Sequence, residues 1–158
     1  MKLFFAKILS TCFGLGYFPV APGTVTSFVV ALGYFFLPVL HNPVLLLVLV
    51  LFSTGIGIWA GGVMEELFGN DPSIVTIDEL VGQWLALVAL PEGVWPVAFA
   101  FLFFRFFDIA KPGPVDALQR LPGGWGIMLD DVLAGLFANV SVRALIFLLT
   151  FFHLWPSL

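Results

Sequence analysis

The chain has 158 residues, 61% apolar and 10% charged, with a mean hydropathy of +1.11. A soluble domain carries about 25% charged residues, so this composition excludes an ordinary water-soluble fold and points to a lipid solvent. Ten acids against six bases leave a net charge of −4 and no basic patch, which argues against nucleic acid, and the single Cys12 excludes an internal disulfide or a cysteine-built zinc site.

Residues 1–13 (MKLFFAKILSTCF) start basic, but Lys7 interrupts the apolar run and no small-residue cleavage site follows. An interfacial helix fits this stretch, with Lys2 and Lys7 among lipid headgroups. Residues 25–40 read as a short apolar helix, opened by Pro22-Gly23-Thr24 with Thr24 or Ser27 as cap and closed by His41-Asn42-Pro43. Residues 44–63 carry no charge, and their length matches the roughly 20 needed to cross a bilayer. Gly57 and Gly61 within them form a GxxxG step that permits close helix packing. Residues 94–110, rich in Phe, and residues 131–152 read as further spans.

The short apolar stretch 80–90 is decided by parity. With Lys2 and Lys7 in the cytoplasm, a crossing here puts Lys111, Arg120 and both acidic pairs on one face. A dip and return would split them. The expected fold is therefore all-α: a single polytopic helical membrane domain over 1–158, with about five crossings, the third short and sheltered by its neighbours.

Four segments converge on the cytoplasmic interface. Gly14 to Thr24 (GLGYFPVAPGT) is a stiff loop before a helix, where Gly23, Thr24 and free backbone N–H groups form either a phosphate cradle or a simple turn. Asp71 to Gly82 (DPSIVTIDELVG) puts Asp78 and Glu79 where an apolar helix begins. The helix dipole favours carboxylates there by only about 0.3–1 kcal/mol, less than the cost of unpaired charge at the hydrocarbon edge, so two side by side suggest a cation. In Phe104 to Pro114 (FRFFDIAKPGP), Arg105, Asp108 and Lys111 recur at i, i+3, i+6. They form either a self-neutralising ladder or phosphate-binding cations beside an acid. Gly123 to Asp131 (GGWGIMLDD) repeats the second pattern: a flexible approach, then Asp130 and Asp131, then an apolar helix. Asn139, eight residues on, extends a polar stripe inward; Arg143 beyond it sits deep and snorkels or pairs with a buried group. Two acidic pairs on one face suit a hard cation such as Mg²⁺, which takes carboxylates, waters and phosphate oxygens.

The ordered blocks GxGxxPxAPGT, IVTIDELVG, FRFFDIAKPGPV and GGWGIMLDDVLAG resemble the bacterial phosphatidylglycerophosphatase A family from about Gly14 to Asn139. That resemblance implies a magnesium-dependent phosphomonoesterase of the inner membrane, converting phosphatidylglycerophosphate to phosphatidylglycerol and inorganic phosphate. The family's acidic motif falls on Asp78 and Glu79, its D-x-x-K-P-x-P block on Asp108, Lys111, Pro112 and Pro114, and its second acidic pair on Asp130 and Asp131. Pro122 stands where relatives can carry a histidine before Gly-Gly.

The residues narrow the mechanism further. His41 and His153 fall on the far side, Cys12 lacks a CxxxxxR loop, and no DxDxT motif is present. Attack by metal-activated water remains. Asp78, Glu79, Asp130 and Asp131 are the expected metal ligands, and Asp108 a further ligand or the base. Lys111 and Arg105 are expected to neutralise phosphate, with Gly23, Thr24 and Asn139 as further phosphate contacts. An intramembrane ion or anion transporter using the same acids is the alternative.

Overall fold

The computed structural model describes residues 1–153. Among them it has seven α-helices, two short 3₁₀ turns and no strand. Helix α1 (Lys2–Ser10) leads through the 3₁₀ turn Leu15–Tyr17 to α2 (Pro22–Phe36). Proline at the first turn starts α2, and Pro38 cannot continue it, so residues 37–40 pass into a second 3₁₀ turn, Pro38–His41. Neither Thr24 nor Ser27 caps α2. Its cap position is Ala21, in a left-handed conformation, and the Ser27 hydroxyl donates back to the Gly23 carbonyl at 2.9 Å. Asn42 is a true cap: its side-chain oxygen accepts from the N–H groups of Val44 and Leu45 at 3.0 and 3.1 Å, opening α3 (Pro43–Phe68).

Helices α4 (Ile77–Leu87), α5 (Val94–Ala110), α6 (Gly113–Gln119) and α7 (Gly124–Phe151) complete the chain. Glycine contacts set their directions. A Cβ on Gly82 would overlap the Phe104 ring and lie 2.7 Å from the Asp131 carbonyl, and one on Gly135 would overlap the Gly82 carbonyl. Helices α4 and α7 therefore run parallel at backbone contact, with α5 returning against them. The GxxxG step on α3 packs antiparallel to α7, Gly57 under Met128 and Gly61 against Gly124. Two apolar clusters fill the seams, one around Leu87, Phe104 and Ala138, the other around Met64, Val81 and Met128.

Helix α7 begins seven residues earlier than the sequence suggests. Gly124 and Gly126 are not a flexible approach. They lie inside the first turns of α7, where a side chain on Gly124 would overlap the Ile58 carbonyl and one on Gly126 the Leu121 carbonyl. Asp130 and Asp131 consequently sit almost two turns into a helix, without the free N–H groups of a helix start.

Helices α3 and α7 are long and apolar enough to cross a membrane, with window hydropathies of 2.3 and 2.1. Only 28% of either window is buried in the fold, so most of their apolar surface points outward, the reverse of a soluble core helix. Helix α4 rises only about 16 Å at 1.5 Å per residue. Its abrupt end is capped from α7. The Asn139 amide donates to the carbonyls of Ala86 at 3.0 Å and Val88 at 2.9 Å, and Arg143 donates to those of Val88 at 3.0 Å and Ala89 at 2.8 Å. Arg143 also holds the Asn139 carbonyl oxygen at 2.8 Å. Orphan carbonyls of a short helix and its dipole both explain a deep cation here.

Candidate active site

A cleft of about 350 Å³ opens where α2 and α4 begin, α5 ends and α7 is two turns old. The start of α2 contributes Gly23 and Thr24, α4 Asp78 and Glu79, the end of α5 Arg105, Asp108 and Lys111, and α7 Asp130 and Asp131. All the cleft residues named from the sequence meet here except Asn139, which the capping of α4 consumes eight residues away.

Asp78, Glu79 and Asp131 each offer a carboxylate oxygen within 4.8 Å of the others. One oxygen of each, Asp78 Oδ1, Glu79 Oε2 and Asp131 Oδ2, is buried without a hydrogen-bond partner. Ionised together, three clustered carboxylates with unmet oxygens would repel one another and lack the solvation that burial removes. Oxygen-only donors in this arrangement fit a hard divalent cation. The glycine contact one turn below fixes the spacing: Asp78 and Asp131 each lie four residues before a glycine of the Gly82–Gly135 crossing. Glu79 reaches in because Gly23 has no side chain; a Cβ there would overlap its Oε1.

Asp130 does not join this set. Neighbouring positions on a helix point about 100° apart, and Asp130 turns to Lys111, whose ammonium donates to its Oδ2 at 2.7 Å. Its other oxygen accepts the Asp131 N–H at 3.0 Å. The i, i+3, i+6 ladder is likewise broken. Arg105 pairs with Asp108 at 2.7 Å, while Lys111 lies past the end of α5 in a left-handed conformation and faces α7 instead. Burial works against the Lys111 ammonium, but the Asp130 carboxylate outweighs it and the net pKa is raised. Lys111 is therefore a fixed cation at neutral pH.

The structure adds Asp71 and Ser73 to the cleft. Both belong to the turn before Thr76 and open the Asp71-to-Gly82 segment, in which the sequence by itself assigns a role only to Asp78 and Glu79. Gln119 donates to Asp71 Oδ2 at 3.0 Å and ties this turn to the end of α6. Ala21, Asp71 and Lys111, all cleft residues, have φ of 48°, 47° and 41°. Non-glycine residues in this region cost about 1–3 kcal/mol each and concentrate at functional sites. Cys12 lies outside the cleft, and burial pushes its thiol pKa up to about 12. It is no nucleophile at neutral pH.

A family model described as Phosphatidylglycerophosphatase A matches residues 8–146. The chain belongs to this family. The match spans every cleft residue from Ala21 to Asp131. Similar proteins include a putative phosphatidylinositol-3-phosphatase of Bacteroides thetaiotaomicron, 40% identical over 88% of this chain and 92% of its own length. The Escherichia coli phosphatidylglycerophosphatase A is 33% identical over 94% of this chain and 84% of its own. The Haemophilus influenzae phosphatidylglycerophosphatase A is 35% identical over 87% and 86%. No solved structure matches the chain.

Proposed function

We propose that the protein removes the terminal phosphate of phosphatidylglycerophosphate, giving phosphatidylglycerol and inorganic phosphate, with Mg²⁺ held by Asp78, Glu79 and Asp131. The observation that carries the metal reading is the trio of buried carboxylates with unpartnered oxygens, facing the two cations Arg105 and Lys111 across one cleft. Family membership and the two named phosphatidylglycerophosphatases support the substrate. When bound, the ion supplies positive charge to the phosphoryl oxygens and lowers the pKa of a water.

The chain's own residues divide the remaining work. Lys111 and Arg105 meet phosphate oxygens that gain charge in the transition state. Asp108, held through Oδ2 by Arg105, is the carboxylate assigned to take the proton of the attacking water. The N–H groups at the start of α2, beside Gly23 and Thr24, offer further donors to phosphate. Asp130 positions Lys111 and does not bind metal.

The protein is embedded in the bacterial inner membrane through five helices, α2, α3, α4, α5 and α7, with the cleft at the cytoplasmic surface. The outward apolar faces support embedding, and the cation distribution supports the orientation. Lys7 stacks over Phe68 at the cleft end of α3, whereas His41 and Glu92 pair at the other end. The comparisons give the transport alternative no support, and two of the polar groups deeper than the acids, Asn139 and Arg143, are spent on backbone carbonyls.

The 40% identity to a protein named for a phosphoinositide favours a second substrate, phosphatidylinositol 3-phosphate, cleaved by the same cleft. The test is phosphate release from each lipid by purified protein in detergent, with chelator and Mg²⁺ add-back. Release from phosphatidylglycerophosphate that chelator stops and Mg²⁺ restores is expected. Release from neither lipid would refute the phosphatase reading, and release indifferent to chelator would refute the metal.

A further inference from the structure

A second hollow, of about 500 Å³, runs along the outer seam between α2 and α5 and is lined by Phe28, Leu32, Phe35, Val97, Ala98 and Phe101 among others. It shares both helices with the cleft: α2 gives Gly23 and Thr24 to the cleft and Phe28 to the hollow, and α5 gives Arg105 and Asp108 to the cleft and Phe101 to the hollow. The two meet where Arg105 reaches Ser27 at 3.4 Å and the Phe28 and Phe101 rings pack edge to face at 5.9 Å. Two other seams of the cleft are closed. Helices α4 and α7 touch at Gly82 and Gly135, and the Lys111–Asp130 pair joins the end of α5 to α7.

Two other apolar hollows are less suited. The one on α3, at Leu51, Phe52 and Trp59, shares no helix with the cleft, and the one beneath α1, around Cys12 and Trp84, shares α4 with the cleft but has only about 150 Å³. A lipid's phosphate and acyl chains are covalently joined, so a molecule with its phosphate in the cleft must leave by a side that is apolar from the cleft's rim outward. The α2–α5 seam has that character.

We infer that the seam between α2 and α5 is an acyl-chain subsite, which holds one fatty-acyl chain of the phosphorylated lipid whose phosphate occupies the cleft. The inference rests on the phosphatase reading and adds that chain length is sensed by this protein's surface, with Arg105 and Ser27 at the junction between headgroup and chain.

Two measurements test it. A non-hydrolysable phosphonate analogue of phosphatidylglycerophosphate with a diazirine on one acyl chain is photolysed with the wild-type protein and Mg²⁺, and the adducts are mapped. Labelling concentrated on α2 and α5 between Phe28 and Leu102, and lost under excess unlabelled lipid, is expected. Labelling spread over the outer faces of α3 and α7, or unchanged by competitor, would overturn the subsite. In parallel, A98W and L32W fill the seam from opposite walls. Each is expected to lower kcat/KM by about tenfold or more for a long-chain substrate, the scale of losing a methylene-sized contact, while a dihexanoyl substrate reacts as with wild type. Equal loss on both substrates in both variants, with labelling dispersed, rejects the inference. Failure of the phosphatase reading looks different: wild-type protein then releases phosphate from neither substrate.

Discussion

Asp78, Glu79 and Asp131 leave a signature that separates a metal site from a merely structural acidic cluster. Without a cation their mutual repulsion and lost solvation destabilise the fold. Asp131→Asn is therefore expected to match or exceed wild type in thermal stability in chelator, yet to lose the stabilisation that Mg²⁺ gives wild type. A melting series against Mg²⁺ reads both, and equal Mg²⁺ shifts in the two proteins would contradict the assignment. In activity, Asp131→Asn and Lys111→Ala are each expected to cost about a hundredfold or more, as for removal of one preorganised charge partner. Cys12→Ser is expected to retain activity, and wild-type Cys12, with its thiol held near a pKa of about 12, should resist alkylation at neutral pH in the folded protein. Rapid alkylation would show that the burial around Thr76 is not maintained.

At the scale of elements, the parallel crossing of α4 and α7 brings two separate acids together. Gly82→Ala has no room against Phe104 and the Asp131 carbonyl, so a destabilisation of about 1–3 kcal/mol is expected from overpacking, with reduced Mg²⁺ affinity because the acids move apart. Gly55→Ala on α3, where nothing lies within 4 Å of the added methyl, is the control and should be neutral or slightly stabilising. The far end of the same helix pair depends on Asn139. Replacing it by Ala leaves α4 carbonyls without their donor, at about 1–3 kcal/mol, while Mg²⁺ binding is retained by whatever protein remains folded. Unfolding in detergent followed by tryptophan fluorescence, with Mg²⁺ titration at low denaturant, distinguishes the two effects.

Over the whole molecule, polarity is sorted along one axis. The cleft gathers at one end with Lys7, Arg105, Lys111 and Arg120, while Arg143 caps α4 toward the other. Apolar residues such as Phe52, Phe106 and Phe147 face outward at 67%, 61% and 68% exposure. Such a surface suits a reaction whose substrate has its phosphate in water and its chains in lipid.

Much of this organisation is legible in the sequence. The strongly apolar helical class is legible in the composition, which offers few polar residues to cover a soluble surface. The four motif blocks are visible because chemistry-bearing residues stand out in an apolar chain, and Asp78 and Glu79 sit in the first turn of a helix as their position suggests. The sequence does not reveal which acids cluster together. Asp130 and Asp131 are equivalent as letters, but rotation along α7 sends one to Lys111 and the other to α4. Nor does it reveal that Gly124 and Gly126 are packing surfaces, that Asn139 serves a helix end, or that Asp71 folds into the cleft. Sequence alone determined the apolar composition, the all-helical class and the set of charged residues; only tertiary structure decided the helix bounds and the charge partners. The reason is physical: burial tendency belongs to each residue, but electrostatic pairing depends on distances that exist only once helices cross.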